Sequence, residues 1–397
     1  MEEHGQLSVY ETLKNVFKVL YAPRKAFSEI AQNPKYIGPI LVMILFTLAN
    51  SGYVYTIVSK TYIEQTVPTA DQLDKWTESS SLWTVAPNGT KKEDFTDYIN
   101  GTYYGNRSIE FSIVNNTHIW MQLNDTGSIN CSGPDGYNKL YLRIKWTSPE
   151  EKPENATIYL FSVTSSDHFR YNLTGEFSNA TSNVWNNLTI PLANENWLNN
   201  SADTNWGNIT GLKLEFAWPN NSNITILVDG LFFGGFFKSQ AENAAIYMVN
   251  YSIVYIMEFA VRWVLLGGLL YVLVKVLGAK TVWKPLLILA GFALITMFIQ
   301  TIITVAVSAT LPSLYYPLGF LGGVKGEGSN AYNKILEDTS LVSQITEYVR
   351  IVMVFWTIAL CAIVIRQLTE FSWSKSALIA MAAYFATIIA QSFLFGF

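Results

Sequence analysis

Apolar residues follow two different rhythms along this chain. Five long runs are apolar almost without interruption, over residues 37–58, 244–277, 285–311, 348–365 and 377–397. About 20 such residues cross a bilayer as a helix, so five transmembrane helices are expected. Residues 59–240 have another texture, in which short runs rich in β-branched and aromatic residues alternate with Asn, Gly, Pro and Ser. The runs are 108–114, 119–123, 139–147, 157–163, 184–191, 212–218 and 224–233. Leu140, Leu142, Ile144 and Trp146, like Leu212, Leu214 and Phe216, recur with period two, as in strands that bury one face. A polar, helical lead-in is expected over residues 62–76. Upstream of the first span, Val9, Leu13, Val16, Phe17 and Leu20 share one helical face. Pro23 can open a second short helix carrying Phe27, Ile30 and Ala31, ended by Asn33-Pro34. Both are too short and too charged to span a bilayer. They are expected on its inner surface, with a partner-protein groove as the competing use of the same face.

The expected fold class is therefore an α-helical polytopic membrane domain with an inserted all-β jelly roll or β-sandwich. Its divisions are residues 1–36, 37–58, 59–240 and 244–397. Charge orients it. Lys14, Lys18, Arg24, Lys25 and Lys35 precede the first apolar run, Lys275, Lys280 and Lys284 follow the second, and Arg366 and Lys375 lie between the fourth and fifth. The positive-inside rule then puts the N-terminus in the cytoplasm and the insert, the loop 312–347 and the C-terminus outside. A net charge of −4 without a basic block gives no reason to expect nucleic acid. Cys131 and Cys361 fall in different phases, so no intrachain disulfide is expected, and no cleavable signal peptide precedes the first apolar run.

The insert carries a second signal. Asn-x-Ser/Thr begins at Asn88, Asn100, Asn106, Asn115, Asn124, Asn130, Asn155, Asn172, Asn179, Asn187, Asn199, Asn208, Asn220, Asn223 and Asn250. These are fifteen of the twenty-five asparagines between positions 88 and 250, where random placement would give about four. The five asparagines elsewhere form none. N-glycosylation takes place outside the cytoplasm, so sequon density and loop charge point to the same side.

Two stretches resemble known families. Residues 21–40, Tyr-Ala-Pro-Arg-Lys-Ala-Phe-Ser-Glu-Ile-Ala-Gln-Asn-Pro-Lys-Tyr-Ile-Gly-Pro-Ile, resemble the opening segment of the Yip domain family. Members are membrane proteins named for interacting with Ypt/Rab GTPases. The resemblance implies five spans, a cytosolic N-terminus and, from eukaryotic members, a cytosolic GTPase partner in secretory traffic. A short cytosolic region and a large insert depart from that eukaryotic pattern. They fit an archaeal cell-surface protein in the plasma membrane, or a secretory-pathway membrane in a eukaryote. Trp185 to Leu192, then Trp197, Trp206 and the run Ile226-Leu-Val-Asp-Gly-Leu-Phe-Phe-Gly, resemble jelly-roll carbohydrate-binding modules of the galactose-binding-like type. That likeness implies glycan binding through exposed aromatics, here Tyr171, Trp197, Trp206 and Trp218, and a structural calcium. No Asp/Asn ligand spacing identifies the calcium site.

Glu258 and Arg262 are the strongly charged residues deep in an expected span, one helical turn apart. They can neutralise each other as a structural pair. Alternatively they line a transporter or channel path beside Gln300, Thr301 and Thr304, while Arg350 and Gln391 are expected nearer the outer surface. His4, His118 and His168 share no ligand spacing, and no nucleophile, zincin or P-loop motif occurs. The expectation is a non-enzymatic membrane protein displaying a glycosylated ectodomain. It would bind a glycan or a surface-protein partner, or act as a membrane-organising or trafficking scaffold or an accessory subunit of a membrane complex.

Overall fold

The computed structural model describes residues 2–101, 103–162, 164–321 and 326–395. They form two compact units. One comprises Met1–Thr61, Ser239–Leu314 and Asp338–Phe397, the other Tyr62–Lys238 and Tyr315–Glu337.

The first unit is helical. Its elements are α1 (Glu2–Tyr21), α2 (Pro23–Gln32), α3 (Ile37–Lys60), α4 (Ala244–Val276), α5 (Trp283–Ala293) and α6 (Ile295–Ser308). They are followed by α7 (Glu327–Leu368) and α8 (Trp373–Phe395). Five stretches are long and apolar enough to cross a membrane, with α5 and α6 forming one of them across a break at Leu294. That third span is the centre of the bundle, since Leu286 through Ala293 are all buried. Glycines let its neighbour in: a Cβ on Gly291 would sit 2.6 Å from Pro39 of α3, and one on Gly38 only 1.9 Å from the Phe292 ring. Small residues at a crossing give the close backbone approach that packs helices in lipid. Much of the amphipathic faces of α1 and α2 packs inward, although Phe17 stays 41% exposed. Val16, Val19, Ala26, Phe27 and Ile30 are buried in the bundle core, and Phe17 meets Phe298 edge-on.

The second unit is a β-sandwich. Its strands are β1 (Thr61–Val67), β2 (Trp83–Val85), β3 (Thr90–Asp94), β4 (Ser108–Leu123), β5 (Lys139–Ser148) and β6 (Asn155–Ser162). The rest are β7 (Thr164–Asn172), β8 (Asn186–Pro191), β9 (Leu198–Asn199), β10 (Ile209–Ser239) and β11 (Leu314–Tyr316). Two strands are far longer than a period-two reading implies. The expected pairs 108–114 with 119–123, and 212–218 with 224–233, are single strands, β4 and β10. Each bends where asparagines interrupt the apolar alternation, at Asn115–Asn116 and across 219–223, and the β10–β4 register shifts there. Both strands therefore serve both sheets. In the first sheet the order is β2, the later half of β4, the earlier half of β10, β6, β7, β9. In the second, β3 pairs the earlier half of β4, which pairs the later half of β10, followed by β5 and β8. Ile109, Phe111, Met121, Leu142, Trp146, Ile158, Leu214 and Ile226 fill the space between the sheets.

Three expectations fail here. Residues 62–76 do not open with a helix; β1 does, and its Glu64 is buried to accept hydrogen bonds from Tyr141, Gly235 N–H and Leu318 N–H. Strand β7 went unread because its alternating positions are mostly polar. The loop 312–347 is not irregular throughout, for α7 starts at Glu327 and residues 315–337 belong to the sandwich unit. Buried Arg143 ties them in, donating to Glu327 Oε1 at 2.8 Å and to the Gly230 carbonyl at 3.1 Å. Gly322 and Gly323 of that stretch lie outside the described residues.

Candidate functional site

The four aromatics singled out from the sequence do not form an exposed platform. Trp197 and Trp218 are 7% and 3% exposed, and their indole N–H groups donate to the Pro191 and Glu151 carbonyls at 2.8 and 2.9 Å. Trp206 stacks on Phe169 with ring centroids 4.0 Å apart, and Tyr171 leans on Trp197 at 5.1 Å. Tyr171 and Trp206 are half-buried against the same core. The nest closes the β7–β9 side of the sandwich, so burying aromatic area is its work.

A different set reaches solvent. Residues directly opposite across an antiparallel ladder share a face. Thr84 on β2, Gln122 on β4, Lys213 on β10, Tyr159 on β6 and Arg170 on β7 form one such row, since each pairs with the next. Trp120, Glu215, Thr157 and Asn172 form the row beside it. The Lys213 ammonium lies between two rings, 5.3 Å from Trp120 and 5.1 Å from Tyr159. Glu215 takes Lys213 at 3.0 Å and His118 Nε2 at 2.7 Å, and His168 meets Tyr159 edge-on. Burial raises the Glu215 carboxyl, but hydrogen bonds from Lys213 and His118 outweigh it and hold the group below its usual range. Burial and then Glu215 raise the Tyr159 phenol. The result is a flat face with two aromatic rings held around a cation and flanked by acid, imidazole and guanidinium groups. Such a surface offers apolar ring faces and directional donors and acceptors side by side. In the sequence these residues are the complement of the core set: the odd positions 213 and 215 against the even 212, 214 and 216.

Of the fifteen sequon asparagines all are exposed except Asn208, which is half-buried and accepts a 2.6 Å hydrogen bond from Ser128. Asn155 and Asn172 lie on the outer face just described, opposite Ala217 and Thr157. Cys131 and Cys361 are both free and buried.

A buried acid pair lies elsewhere in the sandwich. Asp74 and Asp229 are fully buried. Thr77 and Gly230 N–H donate to Asp74 Oδ2, and Gly230 N–H and Ile99 N–H donate to Asp229. Asp74 Oδ1 has no partner. Burial first, and the adjoining Asp74 carboxyl second, push Asp229 well above the usual carboxylate range. Gly230 holds φ +53°, and a Cβ there would come within 2.6 Å of Arg143, so the Asp-Gly pair is a backbone requirement. Two buried carboxylates with one orphaned lone pair fit the hard oxygen chemistry of a divalent cation such as calcium. Asp74 and Asp229 would hold it, and it would supply the positive charge that a shared proton supplies otherwise. Among the described residues no three His, Cys, Asp or Glu converge as a metal group, so the remaining oxygens would be carbonyls and water.

In the helical unit, Arg262 donates to Glu258 Oε1 at 3.1 Å and to Gln391 Oε1 at 2.7 Å, while Gln391 Nε2 donates to the Glu258 carbonyl. Gln391 is thus a partner of the pair rather than a residue apart, and α4 is clasped to α8. Thr301 bonds instead to Asn50 of α3. Met297 lies between the two groups, its sulfur accepting from Arg262 and its carbonyl from Thr301.

Comparisons add the following. No curated protein matches the chain. Among solved structures it resembles a family 11 carbohydrate-binding module from Clostridium thermocellum in complex with a β-1,3-1,4-mixed-linked tetrasaccharide. The identity is 14%, over 43% of this chain and 94% of that one, with a TM-score of 0.28. It also resembles the family 30 carbohydrate-binding module of a cellulosomal cellulase of the same organism, at 12% identity over 41% and 90%, with a TM-score of 0.29. The family model described as the Yip1 domain matches residues 220–394, which excludes the motif at 21–40. That match takes in the four later of the five candidate spans, and the family resemblance read from the sequence stands.

Proposed function

We propose that this non-enzymatic membrane protein holds its sandwich outside the cell, N-glycosylated, and binds carbohydrate across the outer face of the first sheet. One observation carries the reading: Trp120, Lys213 and Tyr159 are half-buried neighbours on the outer face of β4, β10 and β6, with Glu215, His118 and Arg170 around them. Ring faces stack on the C–H side of a pyranose, and the charged groups bond its hydroxyls. Sequon exposure and the positive-inside bias support the orientation. A transport role has less support, because Arg262 is satisfied by Glu258 and Gln391. Recruitment of a GTPase through the apolar face of α1 and α2 is weakened by the burial of that face.

The test uses the full chain purified in detergent and enzymatically stripped of its own N-glycans, applied to a glycan array. Binding to a defined sugar is expected, and Trp120→Ala or Tyr159→Ala should weaken it about tenfold or more, the loss of a central aromatic contact. Trp218→Ala, a core change, serves as the stability control. Silence across the array would remove the carbohydrate reading and leave a protein partner for this face.

A further inference from the structure

The helical unit holds a cavity that none of the above uses. It has a volume of about 500 Å³ and is lined by residues of α1, α2 and the turn into α3, with Phe292 of α5. Four lysines, Lys14, Lys18, Lys25 and Lys35, share it with two carboxylates, Glu11 and Glu29, and the amides of Asn15 and Asn33. Lys18 is paired to Glu29. Lys14 and Lys25 also act on Glu29 through space, which places three ammonium groups around one carboxylate. That hydrogen bond from Lys18 holds Glu29 below its usual range. Neither Lys14 nor Lys25 has an ion pair among the described residues, and both are exposed. Ile30 and Phe292 make the remaining wall apolar.

The positive-inside bias accounts for lysines at this end of the bundle. It asks only for charge near the bilayer, and it does not gather four side chains from three segments around one hollow. Lys14 and Lys25 bring two ammonium groups that no ion pair among the described residues uses, enough to face one phosphate group. Compact ammonium groups suit a phosphate as point charges. The volume lies within the range of small-molecule sites. We infer that this cleft binds a phosphate-bearing anion, with Lys14 and Lys25 as its free cations and Glu29 holding Lys18 in place until the anion arrives. The source is either the headgroup of an anionic lipid, its first carbons against Ile30 and Phe292, or a soluble phosphate.

The test is equilibrium binding to the full chain in neutral detergent with three ligands: dioctanoyl phosphatidic acid, dioctanoyl phosphatidylcholine and inorganic pyrophosphate. Phosphatidic acid should bind and phosphatidylcholine should not. Lys14→Gln with Lys25→Gln should weaken binding about tenfold or more, as expected when charge-assisted hydrogen bonds are lost. Glu29→Gln should strengthen it, because a competing carboxylate is gone; a merely solvated charge cluster gives no such gain. Pyrophosphate binding as well as phosphatidic acid identifies a soluble phosphate site, whereas phosphatidic acid alone identifies a lipid headgroup site. The inference is overturned if neither binds, or if binding ignores all three substitutions while the variants keep the parent's melting temperature.

Discussion

Asp229 faces Arg143 across the β10–β5 ladder, yet its carboxyl bonds to backbone N–H groups beside Asp74 while Arg143 turns to Glu327. Burial and the adjoining Asp74 carboxyl outweigh those N–H donors, so the folded state favours a protonated Asp229, and the sign of its pH effect follows. A carboxyl raised on folding contributes stability that is complete below its unfolded pKa and is lost as pH rises through its folded pKa. Ectodomain melting should accordingly fall on going from pH 4 toward neutrality, and Asp229→Asn should flatten that fall. If calcium occupies the pair, millimolar calcium raises the melting temperature of the parent near pH 7, and the increase is absent in Asp229→Asn. Calorimetry in chelator and in calcium decides it. Trp146, 1% exposed between the sheets, should cost about 3–5 kcal/mol as Trp146→Ala, read from denaturant midpoints. The sequence exposes residue-scale features unevenly. Trp146 was legible from its alternation with Leu142 and Ile144. Trp197 and Trp206 sit in irregular chain, where no period tells inside from outside, so their burial was not.

Among elements, the glycine-lined crossing of α3 and α5 and the clasp between α4 and α8 make separate predictions. Gly291→Leu forces a side chain into Pro39 and Trp263, and overpacking of this kind costs about 1–3 kcal/mol. Thermal unfolding in detergent should register it. Glu258→Gln keeps an acceptor for Arg262, so a loss of about 0.5–2 kcal/mol is expected, with no loss of any solute flux across proteoliposomes. Flux that depends on Glu258 would restore the transporter reading. Five spans were visible in the sequence because hydrophobic length suffices to define them. The first half of α7 was not, since its polar helical turns and the glycines before it look like loop, and Ile335 alone marks a buried position there. Bends in β4 and β10 read as turns for a related reason. Paired asparagines break a hydrophobic alternation whether the chain reverses or merely changes sheet.

For the molecule as a whole, the sequons make a prediction of mass. Treatment with an N-glycan-specific amidase should collapse a diffuse band toward 44.6 kDa, and peptide mapping should find Asn208, which is half-buried, and Asn250, which lies on the membrane-crossing α4, the least occupied sites. Asn155→Gln with Asn172→Gln should open the aromatic face and raise array binding by the untreated protein. An unchanged band would remove glycosylation, and with it one of the two arguments for orientation.

The bent strands set an order of events. β4 is complete by residue 123, but its partner in both sheets is β10, which begins only at Ile209. Until β10 has been made, neither layer has its middle, and β5 and β6 have no neighbour on that side. Contacts so far apart in sequence close slowly. If the insert is exported and glycosylated as proposed, most of the acceptor asparagines would pass the glycosylating enzyme in an open chain, before the ladder that fixes them has its central strand. Modification would then precede folding, and the domain would reach its native state only as α4 is delivered behind it.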